Sequence, residues 1–242
     1  LTDTYGLPNT VMYLGVGFLV VVVILSQFLA APPKGYVPPG APAAKPGTAV
    51  AKKEDFTPSE MLKTWQFYVL WFMYACGAGA GLMIISKLAT IAQVQVGLSL
   101  GFVLVAVLAI GNGGGRIVTG ILSDKIGRKT TLFTCFVIQA VLIILLSKAA
   151  KDGMLANPVI LALLSALIGA MYGANLALFP SITKDYYGLK NFGVNYGLVF
   201  TAWGLGGFML SLLAGNVYDR THAFTFAYYC SAVLLVAAAL VT

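Results

Sequence analysis

Gly111-Asn112-Gly113-Gly114-Gly115-Arg116-Ile117-Val118-Thr119-Gly120-Ile121-Leu122-Ser123-Asp124-Lys125-Ile126-Gly127-Arg128-Lys129 joins two opposite features in one stretch. Its first part lies inside a long apolar run and sets the charge of Arg116 within that run. Its second part is a tight charged turn that leads straight into the next apolar run. An ionised arginine at the centre of a bilayer costs roughly 2.5–3.5 kcal/mol on insertion scales, so such a residue faces a cavity and a partner. The guanidinium is a planar, permanently charged fork that matches a carboxylate or phosphate in bidentate geometry. The pattern implies a membrane protein that holds a small organic anion at Arg116. An arginine held structurally by backbone carbonyls is the other reading of the same residue.

The composition around this stretch supports the membrane. A mean hydropathy of +0.89, with 59% hydrophobic and 10% charged residues, excludes an ordinary soluble domain. The net charge of +7 calls for no nucleic acid, because the basic residues fall in short segments between apolar runs. Cys76, Cys135 and Cys230 lie in apolar stretches at spacings that fit neither a zinc site nor a disulfide framework, and read as buried free thiols. The chain begins with Leu1, ends at Thr242 inside an apolar run and carries no signal peptide, so it reads as part of a longer polypeptide.

A spanning helix needs about 20 apolar residues. The runs 9–31, 66–86, 98–122, 131–147, 159–182, 195–217 and 224–242 meet that need, which predicts seven spans. Between the first two lies 32–64, whose Pro32-Pro33, Pro38-Pro39, Pro42 and Pro46 mark an extended linker. Near its end, Thr57-Pro58-Ser59-Glu60 predicts a short helix on the membrane surface, with Thr57 as cap and Glu60 at the third position. Lys34, Lys45, Lys52, Lys53, Lys63, Lys125, Arg128, Lys129, Lys184 and Lys190 fall on one side of the predicted spans, against Lys87, Lys148, Lys151 and Arg220 on the other. The linker is therefore expected in the cytoplasm and Leu1 outside. Every acid falls in a terminus or loop, so Arg116 has no predicted carboxylate partner from this chain.

Gly120-Ile-Leu-Ser-Asp124-Lys125-Ile-Gly127-Arg128-Lys129 follows the pattern Gly-x-x-x-Asp-Lys/Arg-x-Gly-Arg-Lys/Arg, and it resembles the loop signature of the major facilitator superfamily. In that family the loop gates conformational change and does not touch substrate; the resemblance assigns Gly120, Asp124, Lys125, Gly127 and Arg128 to this role. It implies an all-α integral membrane fold: a six-helix C-terminal half preceded by one helix and a long cytoplasmic linker. Residues 1–31 would then be helix six of an otherwise missing N-terminal half, 32–64 the linker between the halves, and 65–242 helices seven to twelve. Helices seven to nine and ten to twelve should repeat each other in inverted topology. Small residues in Gly77-Ala-Gly-Ala-Gly81 and Gly204-Leu-Gly-Gly207 suit close helix approach and not a nucleotide loop.

Finer resemblance points to the oxalate/formate antiporter family and the related monocarboxylate transporters. It is carried by Glu60-Met-Leu-Lys-Thr-Trp65-Gln-Phe67-Tyr-Val-Leu-Trp71, Asn112-Gly-Gly-Gly-Arg116, Ala177-Leu178-Phe179-Pro180-Ser181 and Asn195-Tyr196-Gly197. Such proteins move small carboxylates, and their helix-eight arginine is an anion ligand, a role that falls on Arg116. The oxalate exchanger has a second cation, a lysine, in helix eleven where this chain has Trp203, so the resemblance favours a monocarboxylate over a dicarboxylate. Animal monocarboxylate transporters place a proton-coupling aspartate one turn before the arginine; here Asn112 stands there.

Asn112 and Arg116, four apart, share a helix face, so the asparagine either orients the guanidinium, bonds substrate or bonds a neighbouring helix. Tyr172, where the exchanger has an aromatic, and Asn175 are further candidates for the cavity or for core packing, with Tyr74 and Trp203 behind them. His222 reads as a surface turn residue. The predicted spans hold no His, Asp or Glu, so no enzyme, metal site or cofactor is expected. The last run lacks the lysine that a retinal protein needs. These readings converge on a secondary transporter of lactate- or pyruvate-like monocarboxylates, coupled to protons by symport and working by alternating access. An oxalate/formate-type exchanger (antiport) and a non-transporting membrane anion sensor are the alternatives. The expected partners are a small organic anion, protons, the lipid bilayer and the missing N-terminal half; the expected location is a bacterial inner membrane.

Overall fold

The computed structural model describes residues 2–29, 55–99, 101–151 and 153–242. Residues 30–54, which hold most of the proline-rich linker and its Lys34, Lys45, Lys52 and Lys53, lie outside the described residues, as does Asp152. Among the described residues every regular element is helical. The chain divides into two units, Leu1–Val50 and Ala51–Thr242.

Among its described residues the first unit has one helix, α1 (Thr2–Ser26), interrupted where Gly6 takes φ +74° ahead of Pro8. Its apolar span Thr4–Ser26 is long enough to cross a membrane. The helix stops before the predicted end at residue 31. There the Ser26 hydroxyl and the Gln27 amide both donate to the Val23 carbonyl, the local competition that polar side chains offer a helix end.

The second unit starts with α2 (Pro58–Met61) and continues through α3 (Trp65–Ile91), α4 (Gly101–Ile126), α5 (Arg128–Ser147), α6 (Pro158–Tyr187), α7 (Phe192–Thr221) and α8 (Thr225–Leu240). The starts of α2 and α6 are written locally. The Thr57 hydroxyl accepts from the Glu60 amide while the Glu60 carboxylate accepts from the Thr57 amide, the predicted capping box. Asn157 caps α6 through Val159 N–H, with Pro158 at the first position. At the α4–α5 turn Gly127 takes φ +91°, a conformation that a β-carbon disfavours.

Among the described residues six helices, counting α1, are long and apolar enough to cross a membrane; α8, with 16 residues, falls short of the rest. The chain is thus a multi-pass membrane protein. Most of its long helices overrun the predicted apolar cores. Ends such as Asp124-Lys125 or Lys184-Asp185 keep helical hydrogen bonding where polar groups can reach water.

Three pairings organise the second unit: α3 lies chiefly on α7, α4 on α6 and α5 on α8. Exchanging the triplet α3–α5 for α6–α8 maps this set onto itself, as two three-helix repeats would require. The α3–α7 and α4–α6 crossings are made by glycines. A methyl group at Gly79 would meet the Gly206 carbonyl oxygen at 2.6 Å, and one at Gly206 would strike the backbone of Ala75. Gly111 and Gly115 of α4 lie on the backbone of Ala166 and Ala170, while Gly169 and Gly173 of α6 lie on Leu108 and Asn112. Both helices thus carry Gly-x-x-x-Gly at their contact, which lets backbones approach where lipid leaves no hydrophobic drive for association. At Gly120, by contrast, nothing among the described residues stands within 4 Å of the place a β-carbon would occupy.

One end of the bundle is closed by Gln95, in a π-helical turn (Ala92–Val96) that prolongs α3. Its amide donates to the carbonyls of Leu146 and Ala149 and its oxygen accepts from Tyr228, joining α3, α5 and α8. At that end His222 takes a left-handed φ of 53° after α7, exposed as expected. Cys76 and Cys135 are buried, whereas Cys230 is only half-buried in the groove between α7 and α8.

Candidate functional site

The middle of α4 builds the site from one local relation. Asn112 and Arg116 are one turn apart, and the guanidinium Nε donates to the Asn112 side-chain oxygen at 3.2 Å. That oxygen is itself lodged against Gly173 of α6, where a β-carbon would sit 2.8 Å away. Asn112 is thus held from behind by the α4–α6 crossing and holds the arginine in front. Arg116 is exposed on the surface of this unit, and no carboxylate pairs with it among the described residues.

Facing Arg116 is an aromatic wall from α6 and α7, with the hydroxyl of Tyr74 from α3 reaching it from behind. The hydroxyls of Tyr74, Tyr172 and Tyr196 all lie within electrostatic range of the guanidinium. Tyr172 is buried with its ring pressed on Gly81, where no side chain would fit, and its hydroxyl accepts from the Trp203 indole at 2.9 Å. Trp203 stacks on Phe200 with centroids 5.2 Å apart, and Phe200 in turn touches Tyr196 and Tyr74. The structure therefore brings Arg116, Asn112, Tyr172 and Trp203 to one face of the unit.

Two candidates are placed elsewhere. Tyr74 is fully buried and stacks on Phe179 at 4.0 Å between centroids; only its hydroxyl reaches toward the wall, through Tyr196 at 3.3 Å. Asn175 is a core residue. Its amide donates to the Met171 and Tyr172 carbonyls, and its oxygen faces Gly77, where Gln139 of α5 donates to the backbone. That oxygen has no hydrogen-bond partner and lies against the Cα–H of Gly77, a weak contact that only glycine allows. Tyr196, within Asn195-Tyr196-Gly197, joins this wall without being a candidate from the sequence; its place on the same α7 face as Phe200 and Trp203, at spacings of four and three, is the signal for it.

The charged turn forms a separate centre at the other end of α4. Arg128 pairs with Asp124 at 2.8 Å and with Asp185 of α6 at 3.3 Å, and it donates to the Ser123 hydroxyl as well. These pairs are partly exposed and individually weak, but they tie the α4–α5 turn to the end of α6. Lys125 is exposed and makes no ion pair among the described residues. A cavity of about 310 Å³ beside this turn is lined by Trp65, Met73, Arg128, Lys129, Asp185 and Thr242, and it contains none of the residues around Arg116. Among the described residues no cluster of His, Cys, Asp or Glu could hold a metal ion.

Comparison with known proteins gives one family. The Major Facilitator Superfamily matches residues 1–150 and again 99–242. A protein described as the uncharacterized MFS-type transporter YhjX of Escherichia coli (strain K12) is 30% identical over 208 residues, which are 85% of this chain and 48% of that protein. The oxalate:formate antiporter of Oxalobacter formigenes is 32% identical over 204 residues, covering 81% of this chain and 44% of its own length. Monocarboxylate transporter 9 of Pongo abelii is 29% identical over 128 residues, or 53% of this chain and 24% of that protein. The chain spans about half the length of the first two of these curated relatives.

Proposed function

The chain belongs to the Major Facilitator Superfamily, and on that premise we propose that it supplies the C-terminal half of a carrier of small monocarboxylates. Residues 1–31 serve as helix six, 32–64 as a cytoplasmic linker, and 65–242 as helices seven to twelve. The substrate carboxylate binds the outer edge of the Arg116 guanidinium, whose Nε is already committed to Asn112. The Tyr172 hydroxyl, which accepts from Trp203, keeps its own proton to donate to the anion. A second six-helix half forms the opposite wall, and the two halves rock about the site. The Arg128 pairs with Asp124 and Asp185 hold the gating turn in one of its states.

The observation that carries this reading is the pairing of an exposed mid-helix arginine, fixed at one nitrogen and without an acidic partner among the described residues, with a wall of tyrosines. A structural arginine would find its acceptors inside the bundle; this one is exposed, and its bond to Asn112 is the one it makes among the described residues. Trp203 supports a monoanion, because its indole N–H is used by Tyr172 and α7 adds no cation beside Arg116.

The test is uptake of labelled lactate into proteoliposomes holding the full-length protein, with and without an inward proton gradient. Gradient-stimulated uptake that is lost in Arg116→Gln is the expected result and supports symport. Counterflow of oxalate or formate in place of lactate uptake would make the protein an exchanger. Uptake unchanged in Arg116→Gln would overturn the site.

A further inference from the structure

α7, which carries Tyr196 and Trp203, does not begin with its own cap. Asn191 stands at the cap position, yet its side chain bonds none of the free amides of the first turn. Its amide instead donates to the carbonyl of Phe56, at the end of the segment that leads from α1, at 3.0 Å. Asn195, one turn further and wholly buried, donates to the same carbonyl at 3.0 Å. The neighbouring Asp55 carboxylate accepts from the amides of Leu189 and Lys190 at 2.9 and 3.1 Å. Gly188 makes this possible: at φ +80° it turns the chain so that both amides face Asp55, and a β-carbon there would collide with the carboxylate. The Phe56 amide donates to the Tyr187 carbonyl, and the two rings meet edge to face at 5.5 Å.

The stretch of α7 that faces Arg116 therefore has an anchor on each side. One is the glycine crossing at Gly206 and Gly207; the other is this set of bonds to Asp55-Phe56. Tyr196 and Trp203 lie between them. With one anchor released, the helix can pivot on the other and carry both aromatic side chains away from Tyr74 and Tyr172. We propose that Asp55 and Phe56 form a latch on the α6–α7 turn, and that Asn195 is a positioning residue which, through that latch, sets Tyr196 and Trp203 opposite Arg116. The latch gives the last part of the linker a direct hold on the substrate helix.

The uptake arm of the test rests on the function proposed above; the hydrogen-exchange arm does not. In the full-length protein, Asp55→Ala removes the acceptor for two amides from an exposed residue and leaves the core intact. Amide exchange is expected to rise at Leu189 and Lys190 and also through the first three turns of α7. The KM for lactate is expected to rise about fivefold, the scale of one lost hydrogen bond, with maximal uptake unchanged. Asp55→Asn keeps the accepting oxygen and should restore both readings. Asn195→Leu should reproduce the KM shift; should it fail to fold, Asp55→Ala decides alone. Faster exchange confined to Leu189 and Lys190, with α7 still protected, would overturn the proposal and leave a plain loop tether. Should the wild type carry no monocarboxylate, the carrier reading fails, while the exchange pattern in α7 still decides the latch.

Discussion

The indole Nε1 of Trp203 donates to the hydroxyl of Tyr172 at 2.9 Å, joining α7 to α6 beside Arg116. A tyrosine hydroxyl can donate once and accept twice, so accepting from Trp203 leaves its proton free for an acceptor in front of it. Trp203 thus orients a donor rather than offering one.

This relation separates the two residues experimentally. Tyr172→Phe removes the donor while keeping the ring on Gly81, and should weaken substrate about five- to tenfold, near the 1–1.5 kcal/mol of a net hydrogen bond. Trp203→Lys places a second cation beside Arg116 and should shift preference toward dicarboxylates by at least about tenfold, the worth of a charge-assisted bond. Competition of labelled lactate uptake by oxalate measures both; a Trp203→Lys protein that still ignores oxalate would contradict the arrangement.

Asn112→Leu frees the Arg116 Nε and removes the oxygen lodged against Gly173. The guanidinium then samples more rotamers, and substrate affinity should fall by about three- to tenfold through lost preorganisation. Asn112→Asp should fall further, because a carboxylate at 3.2 Å would neutralise the charge meant for substrate. Binding measured by tryptophan quenching in detergent orders the three proteins as wild type, leucine, aspartate.

The glycines divide by their neighbours. Gly115→Leu and Gly206→Leu drive side chains into the facing backbone and should lower thermal stability by more than the 1–3 kcal/mol typical of an overpacked core. Gly113→Ala, on an open face of the same α4, should leave stability equal or raise it by about 0.5–1 kcal/mol through helix propensity. Thermal melts in detergent test this, and equal damage at all three positions would refute the crossings.

Outside the membrane spans, the amide of Thr57 and then its hydroxyl hold the Glu60 carboxyl below its ordinary value of 4.5. A depressed carboxyl contributes to folding above its ordinary value, and the contribution is lost as pH falls through the lower folded value. Protection of the Thr57 amide should therefore weaken only in acid below about the ordinary carboxylate range. Glu60→Gln should remove that pH dependence.

What could be read along the chain was local. The seven apolar runs, the capping box at Thr57, the glycine turn at Gly127 and the Asn112–Arg116 pair all depend on residues a few positions apart. Two side chains point where the sequence does not show. Asn175 turns into the core toward Gly77, and Tyr74 is covered by Phe179. In helices apolar on nearly every side, periodicity does not mark the inward face, so a polar residue's direction is hidden until its neighbours are known.

By itself the sequence determined a helical membrane chain with a fixed arginine in mid-span, because hydropathy, caps and i,i+4 spacing are properties of single segments. The tertiary structure decided which helices pair, that Tyr196 and not Asn175 joins the wall, and that Asn195 serves Phe56, 139 positions away. Those outcomes depend on helix surfaces far apart in sequence meeting, at glycines for α3–α7 and α4–α6 and through side chains elsewhere. Only the shape of both partners selects such a meeting.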